Sequence, residues 1–129
     1  MKKGDSAIWA YNTALQMDDK NTDAYVNRAI TYSSAAKYDL AFPDYIKALQ
    51  IDPNIFSVYM NRGYAYLASG KLNEALADFN SYLNYDPNNA ACYYYRGLTY
   101  TSMRNTANAK NDFLRAQSLG FKVDQKYLQ

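Results

Sequence analysis

The sequence contains no histidine, one cysteine and three prolines, and Glu74 is its single glutamate. Without histidine, both the commonest metal ligand and the commonest general base are missing. The lone Cys92 excludes an internal disulfide framework and a cysteine-only metal cage, and has no histidine to activate it as a nucleophile. Phosphate-cradling glycine loops, zinc-protease helices and nucleophile elbows are absent as motifs. The adjacent Asp18 and Asp19 fit a helix connection better than an acid/base pair. No enzyme, cofactor or metal site is therefore expected. Basic residues number 14 and acidic ones 12, a net charge of +2, which supplies no strong field for nucleic acid or an anionic membrane. No apolar run approaches the roughly 20 residues of a membrane helix. The segment after Met1-Lys2-Lys3 is too polar for a signal-peptide core, so a soluble chain without a targeting segment is expected, and its location in a cell is not encoded here.

What is present is apolar and aromatic. Over 129 residues, 49% hydrophobic content suffices to bury a continuous interior. Its arrangement is periodic: Ile51-Asp52-Pro53-Asn54 returns as Tyr85-Asp86-Pro87-Asn88, a step of 34 from Pro53 to Pro87. The same step relates Tyr25, Tyr59 and Tyr93; Arg28, Arg62 and Arg96; Tyr32, Tyr66 and Tyr100; Ala41, Ala75 and Ala109; Asp44, Asp78 and Asp112; and Tyr45, Phe79 and Phe113. A shared period of this length identifies stacked supersecondary units.

Within a unit, aromatic and small residues recur at helical intervals, as in Tyr59, Gly63, Tyr66 and then Ala75, Phe79, Tyr82. The spacing predicts helix pairs over 22–35 and 38–50, 55–69 and 72–84, and 89–103 and 106–118. Ala7, Tyr11, Ala14 and Asp18 stand one period before Ala41, Tyr45, Ala48 and Asp52, so residues 3–21 read as the second half of a further unit. Residues 121–129 can supply a C-terminal capping helix with Val123, Tyr127 and Leu128 on its apolar face. Pro43, early in a second helix, removes a donor to Asp39 and should distort the first turn.

These residues resemble the tetratricopeptide repeat (TPR), whose pattern W-x2-L-G-x2-Y, A-x3-F and P is matched in register. The middle unit supplies Tyr59, Gly63, Tyr66, Ala75, Phe79 and Pro87; the first supplies Tyr25, Ala29, Tyr32, Ala41, Tyr45 and Pro53; the third supplies Tyr93, Gly97, Tyr100, Ala109 and Phe113. Arg28, Arg62 and Arg96 replace the usual leucine, and Gly120-Phe121 falls where proline is expected. The resemblance implies an all-α fold of TPR helical hairpins stacked as a right-handed α-solenoid superhelix. It would form one TPR domain over 1–129, with a half repeat at 3–21 and repeats at 22–55, 56–89 and 90–120.

Small residues at Ala29, Gly63 and Gly97 and at Ala41, Ala75 and Ala109 let paired helices approach, while tyrosine and phenylalanine fill the space beside them. Each arginine of the 34-step series precedes its aspartate by 16 residues, so Arg28 with Asp44, Arg62 with Asp78 and Arg96 with Asp112 are expected to pair inside each hairpin. Pairing across repeats would set Arg28 opposite Ala10, which cannot accept.

In the TPR family the first helices line the concave face. The resemblance thus makes Val26, Asn27 and Ile30, then Met60, Asn61 and Tyr64, then Tyr94, Tyr95 and Leu98 the candidate groove. Rings and aliphatic groups can bury a partner's side chains, and asparagine amides can bond its main chain. The expected partner is a peptide or a partner helix of another protein. The alternative for these residues is packing against a further repeat or the C-terminal segment. The carboxylate clamp of chaperone-binding family members is not reproduced, since Val26, Ile30, Asn61, Ala91 and Tyr95 stand at its positions and Asn61 alone matches. Self-assembly into homo-oligomers through exposed repeat ends is the second reading, and RNA binding through Tyr94, Tyr95, Arg104 and Arg115 ranks last.

Overall fold

The computed structural model describes residues 2–129. Among them are seven α-helices and no strand: α1 (Lys3–Met17), α2 (Thr22–Ser34), α3 (Tyr38–Ile51), α4 (Ser57–Ala68), α5 (Leu72–Tyr85), α6 (Ala90–Ser102) and α7 (Thr106–Ser118). A single 3-10 turn, Gln125–Tyr127, follows where the sequence suggested a capping helix; three residues of tight turn replace it. Pro43 lies inside α3, which runs through it from Tyr38 to Ile51, so the loss of one donor does not break the helix.

The 34-residue period also governs the connections, through two kinds of turn. Within a hairpin, the first helix ends at a residue in the left-handed region: Ala36 (φ 58°), Gly70 (φ 82°) and Arg104 (φ 61°). Each makes the paired closing bonds of a Schellman motif. Thus the amides of Lys37, Lys71 and Asn105 donate to the carbonyls of Tyr32, Tyr66 and Tyr100 at 2.8, 2.8 and 2.9 Å. Between hairpins the chain stays extended at Asp18, Asp52 and Asp86. Their carboxylates accept from the amides two residues on, Lys20, Asn54 and Asn88, at 3.0, 3.0 and 3.2 Å, the Asx geometry that short acidic side chains favour. Asn21 and Asn89 then cap α2 and α6 by accepting from the amides of Ala24 and Cys92, satisfying donors a helix start leaves open.

The chain packs as two compact units, one up to Asn61 and one from Arg62 onward, with α4 contributing its first residues to the former and the rest to the latter. In the first unit α1 packs on α2 and α2 on α3; Ala24, Ala29, Ala41, Phe42, Tyr45 and Ala48 are buried there. In the second unit α5 packs on α6, α6 on α7, and the 3-10 turn on α7, around buried Ala75, Phe79, Leu83, Cys92, Ala109, Phe113 and Ala116. The small residues work as the sequence implied. A Cβ added at Gly63 would stand 2.8 Å from Cε1 of Phe79, and one at Gly97 2.7 Å from Cε1 of Phe113. Both lie far inside contact distance, so the rings sit against bare backbone.

Each hairpin carries its ion pair. The guanidiniums of Arg28, Arg62 and Arg96 donate from Nε and Nη2 to both oxygens of Asp44, Asp78 and Asp112, all between 2.6 and 2.8 Å. Two parallel bonds fix orientation as well as distance. Arg28 and Arg96 also donate from Nη1 to Asn12 and Asn80 at 2.8 and 2.9 Å. Arg28 therefore does reach back to α1, where Asn12, two residues beyond Ala10, is the acceptor. The bond to Asp44 raises the pKa of Arg28, and that to Asp112 the pKa of Arg96. Burial raises the carboxyl pKa of Asp78, against the pull of Arg62.

Candidate partner-binding face

The candidate residues divide between the units. In the first, α2 presents Asn27 and Ile30 to solvent with Val26 half-buried beside them. Met60 and Asn61, in the part of α4 belonging to this unit, are half-buried. The Asn27 carbonyl is partly engaged, accepting from the Thr31 hydroxyl at 2.9 Å. The patch is aliphatic with an exposed amide.

The second unit is aromatic. Tyr64 is 51% exposed, and its ring meets that of Tyr95 edge to face at 5.2 Å between centroids. Tyr95 lies parallel to the buried Phe79 ring at 6.3 Å and meets Tyr94 at 5.7 Å. A continuous row of rings thus runs from the core to the surface, and Tyr64 is its exposed end. Offset and edge contacts of this kind hold the ring orientations, so Tyr64 is positioned by Tyr95 while its outer face stays open.

Tyr94 and Leu98 have a different environment. Tyr94 stacks on Phe121 at 4.6 Å and meets Phe113 at 5.7 Å and Tyr127 at 6.4 Å. Burial raises its phenol pKa. Leu98 packs, with Tyr94, Phe121, Tyr127 and Leu128, against the buried cluster of Ala109, Phe113, Ala116 and Val123. The C-terminal segment lies over this end of the row. The sequence signal for this was Gly120-Phe121 in place of an Asp-Pro connection, visible as a departure but silent about where the released segment goes. Arg115, considered for nucleic acid, is held over the Tyr93 ring at 5.7 Å and donates to Asn88.

Family comparisons agree with this architecture. Tetratricopeptide-repeat models match residues 22–55, 45–77 and 90–119, and a TPR-repeat model matches 63–103. Together they cover 22–119 without a gap, and the chain belongs to the tetratricopeptide-repeat family. As a TPR array it is a protein–protein interaction scaffold. None of the curated proteins matches it. Among solved structures it is similar to a MamA fragment from Desulfovibrio magneticus RS-1, with TM-score 0.86 and 19% identity over 91% of this chain and 66% of that one. It is also similar to MamA AMB-1, with TM-score 0.82 and 27% identity over 89% of this chain and 68% of that one. A further crystal structure of MamA gives TM-score 0.83 and 22% identity over 93% and 75%. The chain spans just under two thirds of the Desulfovibrio magneticus structure. No described helix is long and apolar enough to cross a membrane.

Proposed function

We propose that the chain binds a peptide segment or partner helix of another protein through the outward residues of its first helices, and that it works as a binding module, not as an enzyme. The observation carrying this is Tyr64: a ring held in place by Tyr95 and still half exposed is a preorganised apolar anchor site of the kind that dominates interface energetics. The Val26 and Ile30 patch with Asn27 supports the same reading on the first unit, where an exposed amide beside aliphatic groups suits a main chain flanked by apolar side chains. The partner's affinity for the Tyr64→Ala variant, measured by calorimetry, should fall by about 2 kcal/mol, whereas Leu114→Ala on the opposite kind of helix should leave it unchanged. Equal affinities for both would remove the assignment.

Self-assembly is the second reading, favoured by Trp9, 65% exposed on α1, and Leu40, 51% exposed on α3. Light scattering over a concentration series tests it, since mass must rise with concentration if these residues meet between copies.

A further inference from the structure

The end of α7 departs from the other second helices in one residue, and the chain beyond it behaves accordingly. α1, α3 and α5 end on extended Asp18, Asp52 and Asp86. One period later stands Gly120, at φ 97°, with the amides of Phe121 and Gly120 closing on the carbonyls of Ala116 and Gln117, both at 3.0 Å. This left-handed turn, natural to glycine, sends the chain back over the third hairpin. Phe121 stacks on Tyr94 and Tyr127 on Phe113, each at 4.6 Å. Val123 is buried in one cluster with Ala109, Phe113 and Ala116, and Leu128 packs against it. Lys122, Asp124, Gln125, Lys126 and Gln129 face solvent. The segment is held by four apolar side chains, two of them aromatic, and has one 3-10 turn of its own secondary structure.

Tyr95 makes the corresponding parallel contact with Phe79 in the second hairpin, but it does so from a helix of 13 residues. The tail has a three-residue turn. Beside it a partly open cavity of about 130 Å³ is lined by Thr101, Thr106, Lys110, Phe113, Tyr127 and Gln129. Residues 121–129, docked through side chains, entered through a glycine turn and bordered by an open cavity, have the character of a bound peptide. Release of this segment leaves the helices of the hairpin packed on one another, so it can open as a unit of its own.

Resting on the peptide-binding reading, we propose that residues 121–129 are a ligand in cis. They occupy the surface formed by Tyr94, Leu98 and Phe113, and this surface accepts from a partner a short non-helical segment of the same chemistry. That segment carries an aromatic residue, a branched aliphatic residue two positions on, and an aromatic-leucine pair six and seven positions on. The tethered tail competes at an effective concentration of about millimolar, so the site is closed to weak segments and opens to those that fit better.

A fluorescein-labelled peptide of residues 121–129 and the full chain test this by anisotropy. The double variant Phe121→Ala/Tyr127→Ala, whose own tail has lost both stacked rings, should bind the peptide at least about tenfold more tightly than the unmodified chain. Equal binding, or none by a variant with native helix content, overturns the proposal. A second measurement keeps the native rings. Gln129→Cys is labelled with a fluorophore, Cys92 being buried, and unlabelled peptide is added to about millimolar. The label's anisotropy should fall as the tail is displaced, and a scrambled peptide should leave it constant. No change with either peptide, or the same change with both, contradicts the proposal. If the tail cannot be displaced while partner affinity still depends on Tyr64, the cis ligand is lost and the binding face stands. Displacement without any Tyr64 dependence preserves the tail site and removes that face.

Discussion

The Phe113 ring lies against the backbone of Gly97 so closely that a methyl group there would stand 2.7 Å from its Cε1 atom. The ring is buried and held by its stack on Tyr127. Gly97→Ala should therefore cost about 1–3 kcal/mol through overpacking, and Gly63→Ala against Phe79 a similar amount. Gly4→Ala, where nothing lies within 4 Å, should not destabilise. Urea melts of the three variants give the comparison, and equal midpoints would show that the helices do not approach as described.

The ion pairs predict a specific non-additivity. Asp78→Ala leaves Arg62 half-buried beside a missing carboxylate and should cost about 2–3 kcal/mol. Arg62→Met with Asp78→Leu removes both charges and should recover most of that loss, because burial already works against the Asp78 carboxylate. A double-mutant cycle through Arg62→Met and Asp78→Leu measures the coupling; a double variant as unstable as the sum of the two singles would mean that the side chains are not coupled, contrary to the paired geometry.

The three left-handed hairpin turns make opposite predictions by residue type. Replacing Ala36 or Arg104 by glycine relieves a conformation that side chains disfavour and should stabilise by about 0.5–1 kcal/mol each. Gly70→Ala should cost about 1 kcal/mol. Thermal melts decide, and destabilisation by Ala36→Gly would contradict the turn geometry.

Raising the pH into the alkaline range should destabilise the protein. Burial raises the Cys92 thiol from 9.0 to about 12 and raises the phenols of Tyr45, Tyr66, Tyr82 and Tyr94 above their ordinary 10.0. Each group holds its proton more tightly folded than unfolded. Its contribution is thus complete below the unfolded value and is lost as pH rises through the folded one. The melting temperature should be flat approaching pH 9 and fall progressively toward pH 12. A melting temperature constant across that interval would contradict the burial of these groups.

The fold was legible because its determinants repeat. A residue such as Asp44 is weak information alone, but with Asp78 and Asp112 at one step, and an arginine 16 residues before each, it specifies a hairpin and its register. Connections were legible where chemistry is residue-specific, as at Gly70 and Asp86. They were hidden where geometry overrides preference: Ala36 and Arg104 adopt the turn of Gly70 without any glycine to announce it, since the surrounding hairpin enforces it. At the candidate face, Tyr64 and Tyr94 look alike in sequence, both outward tyrosines on first helices. Their environments differ because Gly120 redirects residues 121–129 onto Tyr94, a contact set by the path of the chain after a turn and carried by no local pattern.

The binding face is tested most directly by placing a benzophenone-bearing residue at position 64, and separately at position 114, and exposing each full chain to light in the presence of its partner. Tyr64, half exposed and seated on Tyr95, should give a crosslink to one continuous segment of the partner, while the exposed Leu114 position gives none. Crosslinks from position 114 with none from position 64 would place the partner elsewhere and contradict the reading.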